Sequence, residues 1–182
     1  NPDRYLSAHS DIVALMVLEH QALVHNRLTK ASFETRQALA YDEMMRKMLD
    51  KPEGALLEST VRRIQSVSER LVEALLFVSE AKLTEPLKGT SGYTEQFATQ
   101  GPKDDQGRSL RDLDMSTRML KYPCSYLIYS EAFEQLPTAA KDCVLQKLWD
   151  VVSGTDVSEK YSHLSQDDRR AIREGSVPTP RD

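Results

Sequence analysis

The chain has 182 residues, 40% hydrophobic and 29% charged, which suits one globular domain able to fold without a disulfide or metal staple. Its formal charge of −4 argues against nucleic-acid binding, which rests on Lys and Arg neutralising phosphates, and no basic stripe with interleaved aromatics occurs. No apolar run approaches the roughly 20 residues needed to cross a bilayer; the longest, Ile12–Leu18, is closed by Glu19, His20 and Gln21.

The chain opens on Asn1-Pro2 without Met, as a processed product or a fragment would. The first helix is predicted to start at Ser10, whose hydroxyl can cap free N–H groups, with Asp11 favourable in the first turn. Ile12–Leu18 then reads as a central helix, apolar on every face. No Gly or Pro interrupts the pattern before Pro52, so it extends to Leu49, with a break expected near Thr29–Ser32. Ser32 would cap the second part, where Phe33, Arg36, Ala40, Met44 and Met48 recur at helical spacing.

Leu56–Ala81 reads as an amphipathic helix with Val61, Ile64, Leu71, Leu75 and Val78 on its apolar face. From Lys82 to Arg111 the pattern lapses into a Gly- and Pro-punctuated loop, with only Thr94–Thr99 expected to be helical. Loops this long are uncommon in compact domains and are often functional. Lys103, Asp104, Asp105, Arg108, Arg111, Asp112 and Asp114 suggest a solvated, mobile loop with local Asp–Arg pairing; the Asp spacing does not fit an EF-hand. Helical signal returns at Leu113 and breaks at Tyr122-Pro123. Further helices are predicted over Cys124–Gln135 and from Pro137 to Ser153, the latter capped by a left-handed Gly154. Ser165 and Asp168 have the spacing of a capping box that opens a last helix ending at Gly175, and 176–182 reads as a flexible tail. No strand pattern survives. The expected fold is all-α: one domain over residues 1–175, an irregular bundle of about five to seven helices. Cys124 and Cys143 are poorly aligned across the turn at Leu136-Pro137, so two buried thiols are expected rather than a disulfide.

Two clusters stand out as candidate sites. Met16 and His20, four residues apart, share a helix face and could meet one metal or one haem; His9 lies too far along the axis to join them. The bland alternative is a satisfied polar patch at Glu19, His20 and Gln21 where the helix leaves the core. Tyr122, Tyr126, Tyr129 and Phe133, at spacings of 4, 3 and 4, would line one helix face as a partner interface or as internal packing. Standard phosphate-loop, dinucleotide, zincin and serine-hydrolase signatures are missing, as is Cys-x-x-Cys-His. A nucleophile pairing of Cys124 or Cys143 with His163 is the remaining catalytic option.

The segments His9–Gln21, Gly107–Asp112, Lys121–Phe133 and His163–Arg170 together resemble the C-terminal region of a family of uncharacterised, exported bacterial proteins. That resemblance implies a larger parent polypeptide and a periplasmic or otherwise extracytoplasmic location, and it designates no catalytic residue. The leading expectation is a non-enzymatic helical binding or interaction module with a protein partner, contacting it through the 82–111 loop and the exposed part of the tyrosine stripe. The alternative is a redox-associated protein binding haem or a transition metal at Met16 and His20.

Overall fold

The computed structural model describes residues 10–50 and 54–175; His9 and the 176–182 tail lie outside the described residues. Among the described residues it is all-α, with six α-helices and two short 3₁₀ turns: α1 Ile12–Met48, α2 Glu58–Leu75, α3 Tyr93–Thr99, α4 Glu131–Glu134, α5 Thr138–Ser153 and α6 Gln166–Gly175. The 3₁₀ turns span Tyr126–Tyr129 and Glu159–Tyr161. Among the described residues the only β pairing is a single antiparallel bridge, Leu113 to Leu120.

α1 runs 37 residues without the expected break at Thr29–Ser32, about 55 Å at 1.5 Å per residue. Continuity comes from packing. Val24, Leu28, Ala31, Thr35, Ala38 and Asp42 are all buried on one face, so the face that crosses residues 29–32 never leaves the core. The cap is Asp11 rather than Ser10. Its Oδ1 accepts from the Val13 and Ala14 N–H groups at 2.9 and 3.3 Å, and its Oδ2 accepts from the Ser91 N–H and hydroxyl at 2.9 and 2.6 Å. A carboxylate has acceptors for both tasks, and these bonds, the Ser91 hydroxyl foremost, hold it down to about 2. The loop approaches so closely that a Cβ on Gly89 would sit 2.8 Å from Asp11 Oδ2. The start of α1 is apolar on every face but is not central as expected: Val13 and Val17 are buried, whereas Ile12, Leu15 and Leu18 are exposed.

α2 returns antiparallel along α1. Asp42 Oδ1 accepts from the Leu57 N–H at 2.7 Å, and Arg63 reaches Glu34 at 2.6 Å and Gln37 at 3.0 Å. Ile64, Val67, Leu71, Val72 and Leu75 are buried on the facing side, and α5 packs on α2 with α6 on α5. α2 stops at Leu75, short of the expected Ala81. Its terminal carbonyls are taken from outside the helix: Ser125 N–H donates to the Leu75 carbonyl at 2.8 Å, and His163 Nε2 to that of Leu76 at 2.7 Å. The chain then turns through Phe77 and Ser79 at φ +58° and +66°, a left-handed conformation costly for non-glycine residues.

The expected helix from Leu113 is irregular chain instead, turned through Met115 at φ +56° and folded back by the Leu113–Leu120 bridge. The expected helix Cys124–Gln135 is also broken. Ser125 and Ser130 each turn a hydroxyl oxygen onto a backbone N–H, of Leu127 and Phe133, splitting the segment into a 3₁₀ turn and one turn of α4; serine competes with helical bonding in this way. Other expectations hold. α3 lies where the loop was predicted to be helical, Gly154 ends α5 at φ +82°, and Ser165 and Asp168 bond reciprocally, each N–H donating to the other's side chain at 3.1 Å. The 82–111 segment does contain the Asp104–Arg108 pair at 2.6 Å, but it is not solvated throughout, since Phe97 and Leu110 are buried in the core. Both cysteines are free; Cys124 is buried and Cys143 half-buried.

Candidate functional site

His20 sits on the buried side of α1, with Nε2 2.8 Å from Ser125 Oγ. Its ring stacks on Phe77 at 4.3 Å and 9°. Burial pushes its pKa down to about 4, so the imidazole is neutral at neutral pH. Tyr126 lies tilted against it at 6.2 Å, Phe97 meets Tyr126 edge-on at 5.1 Å, and Tyr93 stacks on Phe97 at 5.7 Å. The Arg111 guanidinium lies 4.4 Å from the Tyr126 ring centre and 4.8 Å from that of Phe97, a cation–π clasp from the loop onto the 3₁₀ turn. Gln21 faces the buried Tyr126 hydroxyl, which nevertheless has no partner at hydrogen-bonding geometry.

This cluster gathers only part of the nominated residues. His20, Gln21 and Tyr126 come together. Glu19 is on the solvent side of α1, and Met16 is partly buried against the core. The four aromatics share no helix face: Phe133 is buried in the core, Tyr122 is half-buried with Lys121 Nζ 5.5 Å from its ring, and Tyr129 is exposed with its hydroxyl 3.4 Å from the Gly175 carbonyl. A metal or haem iron at His20 needs an imidazole nitrogen facing open space. Nε2 instead faces Ser125 and the ring is covered by Phe77, so His20 as arranged does not fit such a group through Nε2. Among the described residues no cluster of three His, Cys, Asp or Glu side chains is placed to hold a metal ion. The Cys124–His163 pairing does not form either: His163 Nε2 is spent on the Leu76 carbonyl, and burial pushes the Cys124 thiol up to about 12, far from a reactive thiolate.

Phe77 also walls a cleft of about 420 Å³ between the end of α2, the 117–123 segment and the Glu159–Tyr161 turn. Ser79, Glu80, Arg118, Lys160 and His163 line it. Of the three Lys and Arg side chains that line it, Lys82, Arg118 and Lys160, two are already paired: Lys160 with Glu69 and Glu73, and Arg118 with Asp168 at 2.6 and 3.1 Å. Glu80, exposed as a residue at the cleft mouth, makes no ion pair with them. Protein packed around its carboxyl withdraws water and pushes it up to about 7. The cleft thus offers one acid that titrates near neutrality, hydroxyls, and an aromatic wall. The sequence marks it weakly, by the polar Ser79-Glu80 step after an apolar helix; nothing local signals that Arg118, Lys160 and His163 join it.

A second, smaller recess of about 160 Å³ lies where the loop meets the tyrosine segment, lined among others by Gly101, Pro102, Arg111, Tyr126 and Tyr129. No helix among the described residues is long and apolar enough to cross a membrane. Compared with known protein families, curated proteins and solved structures, the chain has no match.

Proposed function

We propose that this chain is a helical binding module, with its ligand site in the cleft at the end of α2. The observation that supports this most is the cleft's construction. A space of about 420 Å³ falls within the usual range of small-molecule sites. Its wall includes two residues held in left-handed conformations, Phe77 and Ser79, and backbone strain of that kind concentrates at functional sites. Glu80 supplies an uncompensated carboxyl with a perturbed pKa, a further mark of such sites. No nucleophile–base pair forms among the described residues that line it: His163 is bound to a carbonyl, and the Thr117 hydroxyl to Asp114. Binding rather than catalysis is therefore the reading. A larger parent protein in an extracytoplasmic bacterial setting belongs to the same proposal.

The test is a fragment screen read by amide chemical shifts, using small amines, carboxylic acids and polyols on the whole chain. Hits are expected to move Ser79, Glu80, Thr117 and His163, and to weaken in Glu80→Gln. Hits that bind with those amides unmoved would sink the proposal.

The smaller recess favours a second reading, a protein contact built from the loop and Tyr129. Its support is the lining of that recess, where Arg111, Tyr126 and the exposed Tyr129 meet, residue types that partner surfaces favour. Random peptides selected on the wild-type chain should lose binding in Tyr129→Ala; peptides indifferent to that change would count against it.

A further inference from the structure

α1 carries a second apolar face, turned to solvent. Its buried face is set by Val13, Val17, Val24, Leu28 and Ala31. About a third of a turn away, Ile12, Leu15 and Leu23 in the N-terminal half, and Phe33, Tyr41, Met44 and Met48 in the C-terminal half, fall on one line. All seven are 42–68% exposed. Glu19, Asn26, Lys30 and Gln37 fill the remaining positions of that line, so successive members are always three or four residues apart, the spacing of a helix-pairing seam. Taking roughly 200 Å² for a large side chain, the apolar members and neighbouring Leu18 expose about 800 Å². That area, divided along the seam by Glu19, Asn26, Lys30 and Gln37, is about one partner's share of a standard interface.

We infer that this face pairs with the same face of a second copy, antiparallel, about a two-fold axis near Lys30. The seam is self-complementary in that arrangement. Ile12 meets Met48 of the second copy, Leu15 meets Met44, and Leu23 packs beside Gln37. Glu19 meets Tyr41, whose hydroxyl can donate to the carboxylate. On one edge of the seam, Arg27 comes opposite Glu34 of the second copy, which already holds Arg63 of its own chain, so the contact adds a third charge to an existing pair, twice over by symmetry. A parallel arrangement would instead set Glu19 against Glu19 and leave Arg27 without that partner. Asn26, Lys30 and Gln37 make a polar centre that selects the register. Lys30 faces its own copy, where its long stem can splay toward water, so the pairing is reversible rather than obligate.

Sedimentation equilibrium of the whole chain should show a concentration-dependent mass rising toward twice 20.6 kDa. Leu15→Glu, at an exposed site that leaves folding intact by circular dichroism, should raise the dissociation constant at least about tenfold. Lys30→Leu should lower it about tenfold, because one substitution acts twice at the axis. In a Cys143→Ser background, Lys30→Cys should be joined to itself by a short bis-maleimide. Ile12→Cys alone should not be joined, but mixed with Met48→Cys it should form the cross-linked pair. A chain that stays monomeric at millimolar concentration overturns the inference. So does a dimer indifferent to Leu15→Glu, or one in which Ile12→Cys cross-links to itself.

Discussion

His20 and Glu80 are predicted to hide each other's effect on stability between pH 4.5 and 6.5. The His20 imidazole is buried and its pKa is lowered from 6.5 to about 4, so it gains a proton on unfolding wherever the pH lies between those values. The unfolded state then binds more protons, and stability is lost as the pH falls through that window. At 1.36 kcal/mol per pKa unit, two pH units within the window correspond to about 2–3 kcal/mol. Glu80 acts with the opposite sign. Its pKa is raised from 4.5 to about 7, so the folded state holds a proton that the unfolded state releases, and stability is lost as the pH rises through 4.5 to 7. Glu80 keeps part of its side chain in water although its carboxyl is partly desolvated, so solvent screening makes its contribution the smaller of the two. The groups whose pKa values are lowered, such as Asp11 at about 2, act below this window. Urea unfolding from pH 4.5 to 6.5 is the assay. Wild type should change modestly, Glu80→Gln should expose the full loss of about 2–3 kcal/mol on acidification, and His20→Gln should reverse the slope. A pH-independent stability in Glu80→Gln would refute the reasoning, because nothing would then oppose the His20 titration.

Three further outcomes follow from single contacts. Ser125→Ala removes the hydroxyl shared by His20 Nε2 and the Leu127 N–H and should cost about 2 kcal/mol in urea unfolding, partly restored by Ser125→Thr. Thr35 is fully buried in α1 and its hydroxyl has no partner. Thr35→Val keeps the shape and should raise stability by about 1 kcal/mol; a loss of that size would mean the hydroxyl is satisfied in solution. Ser79 is held at φ +66° at an exposed site, so Ser79→Gly should raise the melting temperature, by about 1 kcal/mol of stability.

The local chemistry of the sequence was enough for the helical class and for elements whose ends are coded within them. Gly154 stops α5 because only a residue without Cβ enters the left-handed cap cheaply, and the Ser165–Asp168 spacing starts α6 because each side chain reaches the other's N–H. Of the candidate site, His20, Gln21 and Tyr126 were legible as polar or aromatic interruptions of apolar patterns. Phe77, Phe97, Arg111 and Ser125, which surround them, were not, because the cluster joins segments as far apart as residues 20 and 125.

Tertiary structure alone decided three things. α1 runs unbroken through Thr29–Ser32 because its buried face stays against α2. α2 ends at Leu75 because Ser125 and His163, distant in the chain, take its last carbonyls, and that ending shapes the cleft beside Phe77 and Glu80. The apolar stretch Ile12–Leu18 is divided between core and solvent because one helix wall covers only one side of it. Hydrophobicity states which residues favour burial; which of them are buried depends on where the rest of the chain packs, and periodicity does not carry that information.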